Sequence, residues 1–175
     1  MVNKSEVLRK SVHLLGLLYI PALFYLGKDF MSAAVLLLTA FASFLEIIRA
    51  KKEIFPDSIL REYEKRGVGG YLYTGLAFSI ITPLFPLKAC VIAAICAFAG
   101  DGLAGIFKKV NRKLSFPTFF TFSYILSLTL GLDWKLTSVT IIISAMFDGR
   151  KFLNDNFTIP ISAAITYHFL TTLFG

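Results

Sequence analysis

Long apolar runs separated by short polar stretches make up this chain. Seven such runs lie at roughly 6–26, 30–49, 69–86, 88–107, 117–132, 135–149 and 158–174. Each is near the ~20 residues that carry a helix across the hydrocarbon core of a bilayer. The shortest span only with local thinning or tilted neighbours. The pattern predicts an all-α fold, a polytopic transmembrane bundle of about seven helices formed by one domain over residues 1–175. Pro83 and Pro86 break the chain between the third and fourth runs. Pro56 with Asp57 or Ser58 opens a short amphipathic helix in the 50–68 stretch, and Gly67 stops it. That helix suits a lipid interface. Pro160 is expected to begin the last helix.

The fourth run departs from a plain membrane segment. Residues 89–113 read ACVIAAICAFAGDGLAGIFKKVNRK. They begin apolar and end in Lys108, Lys109, Arg112 and Lys113, with Asp101 between Gly100 and Gly102. A carboxylate inside a transmembrane run costs a few kcal/mol or more, so it marks a candidate functional site. Steps of four give Ala89, Ala93, Ala97, Asp101 and Gly105. Such a stripe of small residues lets another helix approach closely, so Asp101 should face the bundle. The alternative is a structural carboxylate bonded to a neighbouring helix.

Composition agrees with a membrane setting. Hydrophobic residues make up 56% of the chain, and mean hydropathy is +0.71. A soluble domain is nearer roughly 45–50% apolar even when Gly is counted. The basic start runs into a long apolar segment with no A-x-A-like site after it, so no cleaved signal peptide is expected. Cys90 and Cys96 share one apolar run at a spacing that suggests neither a zinc site nor a disulfide framework.

Charge sets the expected topology. With the N-terminus cytoplasmic, 15 of the 18 Lys and Arg residues fall on that side. Lys28, Lys88 and Lys135 remain on the other. The positive-inside rule then gives a cytoplasmic N-terminus and an outside C-terminus. The formal charge of +7 is therefore a cytoplasmic-face feature, and no nucleic-acid partner is expected. Nine of the eleven acidic residues share that face, the exceptions being Asp29 and Asp133. Topology alone does not require this, because Asp and Glu contribute little to orientation.

Several polar residues on that face are candidates. Arg9, Lys10 and His13 lie near one face of the first helix. Snorkelling explains the first two but not His13, which is either a buried hydrogen-bonding residue or a functional one. Glu46 and Arg49 form either an internal ion pair or part of the site. Gly67, Gly69 and Gly70 precede the third helix, where free N–H groups suit phosphate; the alternative is a flexible turn into the membrane. Asp148, Asn154, Asp155 and Asn156 supply oxygen donors suited to Mg²⁺, with Arg150 and Lys151 among them. Lys and Arg near intramembrane carboxylates suit a polyphosphate with its divalent ion. His168 lies far from the charged face and reads as packing or a local hydrogen bond.

Together these motifs resemble the membrane polyprenol kinase group: dolichol kinases, phytol and farnesol kinases and the CTP-dependent diacylglycerol kinase. RKSVH resembles its R-K-x-x-H, and Glu46 with Arg49 its acidic-x-x-basic helix end. EKRGVGGYLYT resembles its Glu, Gly-Gly and Tyr-Thr segment, with Glu64, Gly69, Gly70 and Thr74. AGDGLAG resembles G-D-x-x-A, giving Gly100, Asp101 and Ala104. DNFTIP resembles D-N-x-x-x-P, giving Asp155, Asn156 and Pro160. The chain departs from the family at Lys108, where a Gly is usual. It departs again at Phe116 and Pro117, which replace a Glu-Gly pair between the retained Lys113 and Thr118. It is also shorter than the eukaryotic dolichol kinases and resembles only their catalytic part.

The resemblance implies a CTP-dependent kinase acting on a membrane lipid alcohol of the dolichol, phytol or geranylgeraniol type. It implies Asp101, His13 and Asp155 as catalytic residues. Asp101, Asp155 and Asp148 would hold Mg²⁺. Arg9, Lys10, Gly69, Gly70, Gly100, Lys113 and Asn156 would bind the nucleotide. A cytidylyltransferase making a CDP-lipid from a lipid phosphate would need nearly the same parts. A small transporter with Asp101, Glu46 and His13 along an ion path is the non-enzymatic alternative, although it predicts charges spread across the membrane. The oligomeric state stays open.

Overall fold

The computed structural model describes residues 10–51, 67–149 and 154–175. Arg9, Glu64, the amphipathic stretch of the first loop, Arg150 and Lys151 lie outside the described residues. Among the described residues the structure is all-helical, with seven helices and no strand. They are α1 (Lys10–Leu26), α2 (Lys28–Lys51), α3 (Gly70–Leu84), α4 (Leu87–Val110), α5 (Ser115–Thr129), α6 (Trp134–Ala145) and α7 (Asp155–Phe174). Of these, α4 and α7 along their whole length, and α2 from Lys28 to Arg49, are long and apolar enough to cross a membrane.

The breaks between helices follow local chemistry. Gly27 takes φ 80° between α1 and α2, a conformation open to glycine at little cost. Pro86, in extended backbone, stands before α4. The Asp133 side chain caps α6 by accepting from the N–H groups of Lys135 and Leu136, both at 2.9 Å. Asn154 caps α7 by accepting from the Asn156 N–H at 3.0 Å.

That last cap corrects the expectation that Pro160 begins the final helix. The helix starts at Asp155, and Pro160 lies inside it. Pro160 has no N–H to give the Asn156 carbonyl, so the helix lacks one i→i−4 bond there. The sixth helix likewise ends at Ala145, followed by turns to Gly149, which takes φ 72°.

Helix α4 is the axis of the bundle. Every residue from Ala89 to Gly102 is buried, not only the small-residue stripe. A helix that is apolar all round belongs inside its neighbours. It packs against α1, α3, α5 and α7. The approach to α1 is close: a Cβ at Gly16 would lie 2.3 Å from the Phe98 ring. That ring cannot retreat easily. It stacks on Phe78 at 5.2 Å and takes His13 edge-on at 5.4 Å. Phe78 in turn packs on Tyr19 at 4.9 Å. Gly16→Ala is therefore expected to destabilise the protein by about 1–3 kcal/mol through overpacking, read as a lowered melting temperature in detergent.

Helix α2 is peripheral and runs antiparallel to α3. Lys28 Nζ donates to the Pro83 carbonyl at 3.0 Å, Ser79 Oγ to Thr39 Oγ1 at 2.9 Å and the Gly69 N–H to Glu46 at 3.1 Å. Its other face leaves Leu37, Leu38, Phe41 and Phe44 exposed, more contiguous apolar surface than water favours. These pairings define two ends of the bundle. One gathers the start of α1, the end of α2, the start of α3 and the end of α4. The other holds Lys28 and the Pro83–Pro86 turn. At that second end His168 packs edge-on against Phe85 at 5.8 Å.

Candidate functional site

The backbone of α4 changes register just before Asp101. Residues Ile95–Gly100 form a π turn, and the Asp101 N–H reaches back five residues to the Cys96 carbonyl. The Ala97 carbonyl lies 2.8 Å from His13 Nε2. A carbonyl only accepts, so Nε2 carries the proton in this contact. The same nitrogen is 3.5 Å from Asp101 Oδ2. A π turn inside an α-helix is rare and recurs at functional sites. Here it re-aims every residue after Gly100, so the four-residue stripe does not continue unbroken into Asp101. His13 secures the turn and borders the carboxylate that the turn delivers.

Gly100 has a packing role at this point. A Cβ there would meet Ser123 Oγ at 2.6 Å and the Phe119 ring at 3.0 Å. The side expected to face a nucleotide is filled by α5.

Asp101 is 5% exposed and Lys10 4%. Lys10 Nζ donates to Asp101 Oδ2 at 2.8 Å and to the Asp101 carbonyl at 3.1 Å. Gly105 makes room for it, since a Cβ there would lie 2.3 Å from Lys10 Cε. Lys10, expected to carry phosphate, is thus committed to the buried carboxylate. A buried charge persists only when paired in this way.

Two more carboxylates converge on Asp101. One oxygen from each of Asp101, Asp148 and Asp155 lies within 4.8 Å of the others. They come from α4, from the turn after α6 and from the first turn of α7. Asp148 is held on two sides. Lys108 Nζ lies 3.1 and 3.2 Å from its two oxygens, and Ser115 Oγ donates to Oδ2 at 2.8 Å. Asp155 Oδ1 accepts from the Asn156 N–H at 3.0 Å, which places Asn156, half-buried, beside the cluster. The donor set fits a hard divalent cation, which takes carboxylate oxygens. Mg²⁺ with ligands at ~2.1 Å keeps oxygens about 3–4 Å apart, so the three side chains need to close up only slightly. Two ammonium groups already on the cluster show its demand for positive charge.

A second polar network joins α2 to α3. Arg49 Nε donates to Glu46 Oε2 at 3.0 Å, and the Gly69 N–H to Oε1 at 3.1 Å. Tyr71 Oη also donates to Glu46, and Arg49 donates to the Gly67 carbonyl. At Gly69 the structure departs from the expected phosphate cradle. The Gly69 N–H already serves a carboxylate, and Gly70 is buried at the start of α3. The Gly69 N–H and the Gly67 carbonyl tie the start of α3 to α2.

Lys113 is exposed on a short 3₁₀ turn, Arg112–Leu114. Among the described residues its side chain makes no contact with the cluster. The structure therefore unites Lys10, His13, Asp101, Asp148 and Asp155, and sets the glycines and Lys113 apart. Sequence reasoning missed Ser115 and Tyr71 as site-building residues, and it took Lys108 only as one of four loop cations. The one signal at Lys108 was its departure from a usual glycine.

No protein-family model matches the chain, and neither a curated protein nor a solved structure does.

Proposed function

We propose that the chain is an integral, multi-pass membrane kinase. It transfers the γ-phosphoryl group of CTP to the hydroxyl of a membrane lipid alcohol at the cytoplasmic face. The observation that carries this reading is the meeting of three carboxylates from separate parts of the chain with two lysines at one end of an apolar bundle. Lys10, His13, Asp101 and Asp155 come from three of the motifs that resemble polyprenol kinases. CTP, and the isoprenoid character of the alcohol, rest on that resemblance alone. The bias of 15 of 18 cations to one side supports a cytoplasmic site. Among the described residues, confinement of the buried charges Lys10, Glu46 and Asp101 to one end disfavours an ion path across the bundle.

A divalent ion on Asp101, Asp148 and Asp155 would offset the charge of the transferring phosphoryl group. The protein's own part is positioning. Lys10 holds Asp101 in place, and the His13-bound π turn sets its depth. The lipid hydroxyl oxygen attacks the γ-phosphorus, the bond to the β–γ bridging oxygen breaks, and CDP leaves. The hydroxyl proton passes to a carboxylate of the cluster. The apolar tail stays along the lipid-facing surface.

The test uses purified protein with Mg²⁺, γ-labelled CTP and a panel of isoprenoid alcohols and diacylglycerol. Labelled lipid monophosphate with release of CDP is expected, with CTP preferred over ATP, GTP and UTP. Absence of labelled lipid with every nucleotide would sink the proposal. Pyrophosphate release with CMP in the lipid would assign the cytidylyltransferase reaction instead.

A further inference from the structure

The two lysines on the acidic cluster are held very differently. Lys10 is buried and bonded to both the side chain and the main chain of Asp101. Lys108 has a side chain 33% exposed, and among the described residues Asp148 is its hydrogen-bonding partner. Asp148 does not depend on Lys108 for its orientation, because Ser115 Oγ holds Oδ2 at 2.8 Å. The ammonium rests against the turn at Gly149, where a Cβ would come within 3.0 Å of Nζ. Lys108 lies one turn from the loop, on a long flexible arm with three donors and no fixed fork. It can leave without disturbing the carboxylate it neutralises.

We infer that Lys108 is an exchangeable counter-cation: it occupies Asp148 in the free protein and passes to a nucleotide phosphate when a divalent cation takes that carboxylate. The inference rests on the proposed nucleotide and metal site. The exchange makes the two ligands cooperative. A metal that displaces Lys108 leaves an ammonium free for phosphate, and a phosphate that draws Lys108 away opens Asp148 to metal. The coupling is reciprocal, as any linkage between binding sites must be. The residue at 108 thus sets how strongly the metal depends on the nucleotide, a property a glycine there could not supply.

The probe is Mn²⁺ binding followed by electron paramagnetic resonance, with and without a non-hydrolysable CTP analogue. Wild-type protein should bind Mn²⁺ weakly alone and more tightly with the analogue. Lys108→Met should bind Mn²⁺ alone roughly tenfold more tightly, within the usual range of such couplings, and gain less from the analogue. Lys108→Arg keeps the charge but grips a carboxylate with a fixed fork, so it should bind Mn²⁺ alone no more tightly than wild type. Lys108→Gln repeats the charge removal should the Met variant fold poorly, with melting temperature as the check. Unchanged Mn²⁺ affinity and unchanged coupling in the neutral variants would overturn the inference and leave the metal site standing. No Mn²⁺ binding by wild type in either condition would overturn both.

Discussion

Asp101→Asn is expected to reduce the proposed phosphoryl transfer by about a hundred- to a thousandfold per folded molecule, the scale of losing one preorganised electrostatic group at a reacting centre. The substitution keeps shape and removes one negative charge. Asp101 is the buried member of the triad and the only one delivered by the central helix. Without its charge the cluster keeps two carboxylates against Lys10 and Lys108 and loses its formal net negative charge. Stabilisation by CTP with Mg²⁺ should disappear together with turnover, since a bound ligand raises apparent stability by mass action. A thermal-shift series beside the lipid-alcohol assay checks both. If Asp101 were purely structural, the variant would melt earlier yet keep its turnover per folded molecule and its response to CTP.

Which parts of this arrangement could be read from the sequence follows from how local each signal is. Seven helices are legible because run length is local, and the fourth run announces its site because Asp101 is a charge where charge is expensive. The start of α7 was also legible in principle. Asn154 is a strong capping residue, but Pro160 drew attention to the wrong turn. The π turn is different. It is a change of backbone hydrogen-bond partner, and no side chain between Ile95 and Gly100 encodes it locally. Its support, His13, comes from 84 residues away. The pairing of Lys108 with Asp148 spans 40 residues and depends on how α4, α5 and α6 pack. The competition for the Gly69 N–H was hidden for the same reason. A helix start rich in glycine suits phosphate, yet Glu46 reaches it first across the α2–α3 contact.

The pairing of Lys10 with Asp101 predicts the largest effect on stability. Lys10→Met leaves a carboxylate that is 5% exposed without the ammonium 2.8 Å away. His13 Nε2, 3.5 Å from the same oxygen, is already bonded to Ala97. Breaking a buried pair from one side costs about 3–5 kcal/mol, because the remaining charge stays desolvated. Removing both charges costs far less, since neither the attraction nor the uncompensated charge remains. Lys10→Met with Asp101→Asn should therefore be more stable than either single variant, with an interaction energy of about 2 kcal/mol or more in a double-mutant cycle. Denaturation in detergent without metal or nucleotide measures it. Activity should not return with stability, because the double variant still lacks the carboxylate. Strict additivity of the two single losses would mean that the pair does not hold α1 to α4. Recovery of stability without recovery of turnover would separate the folding role of Lys10 from the proposed chemical role of Asp101.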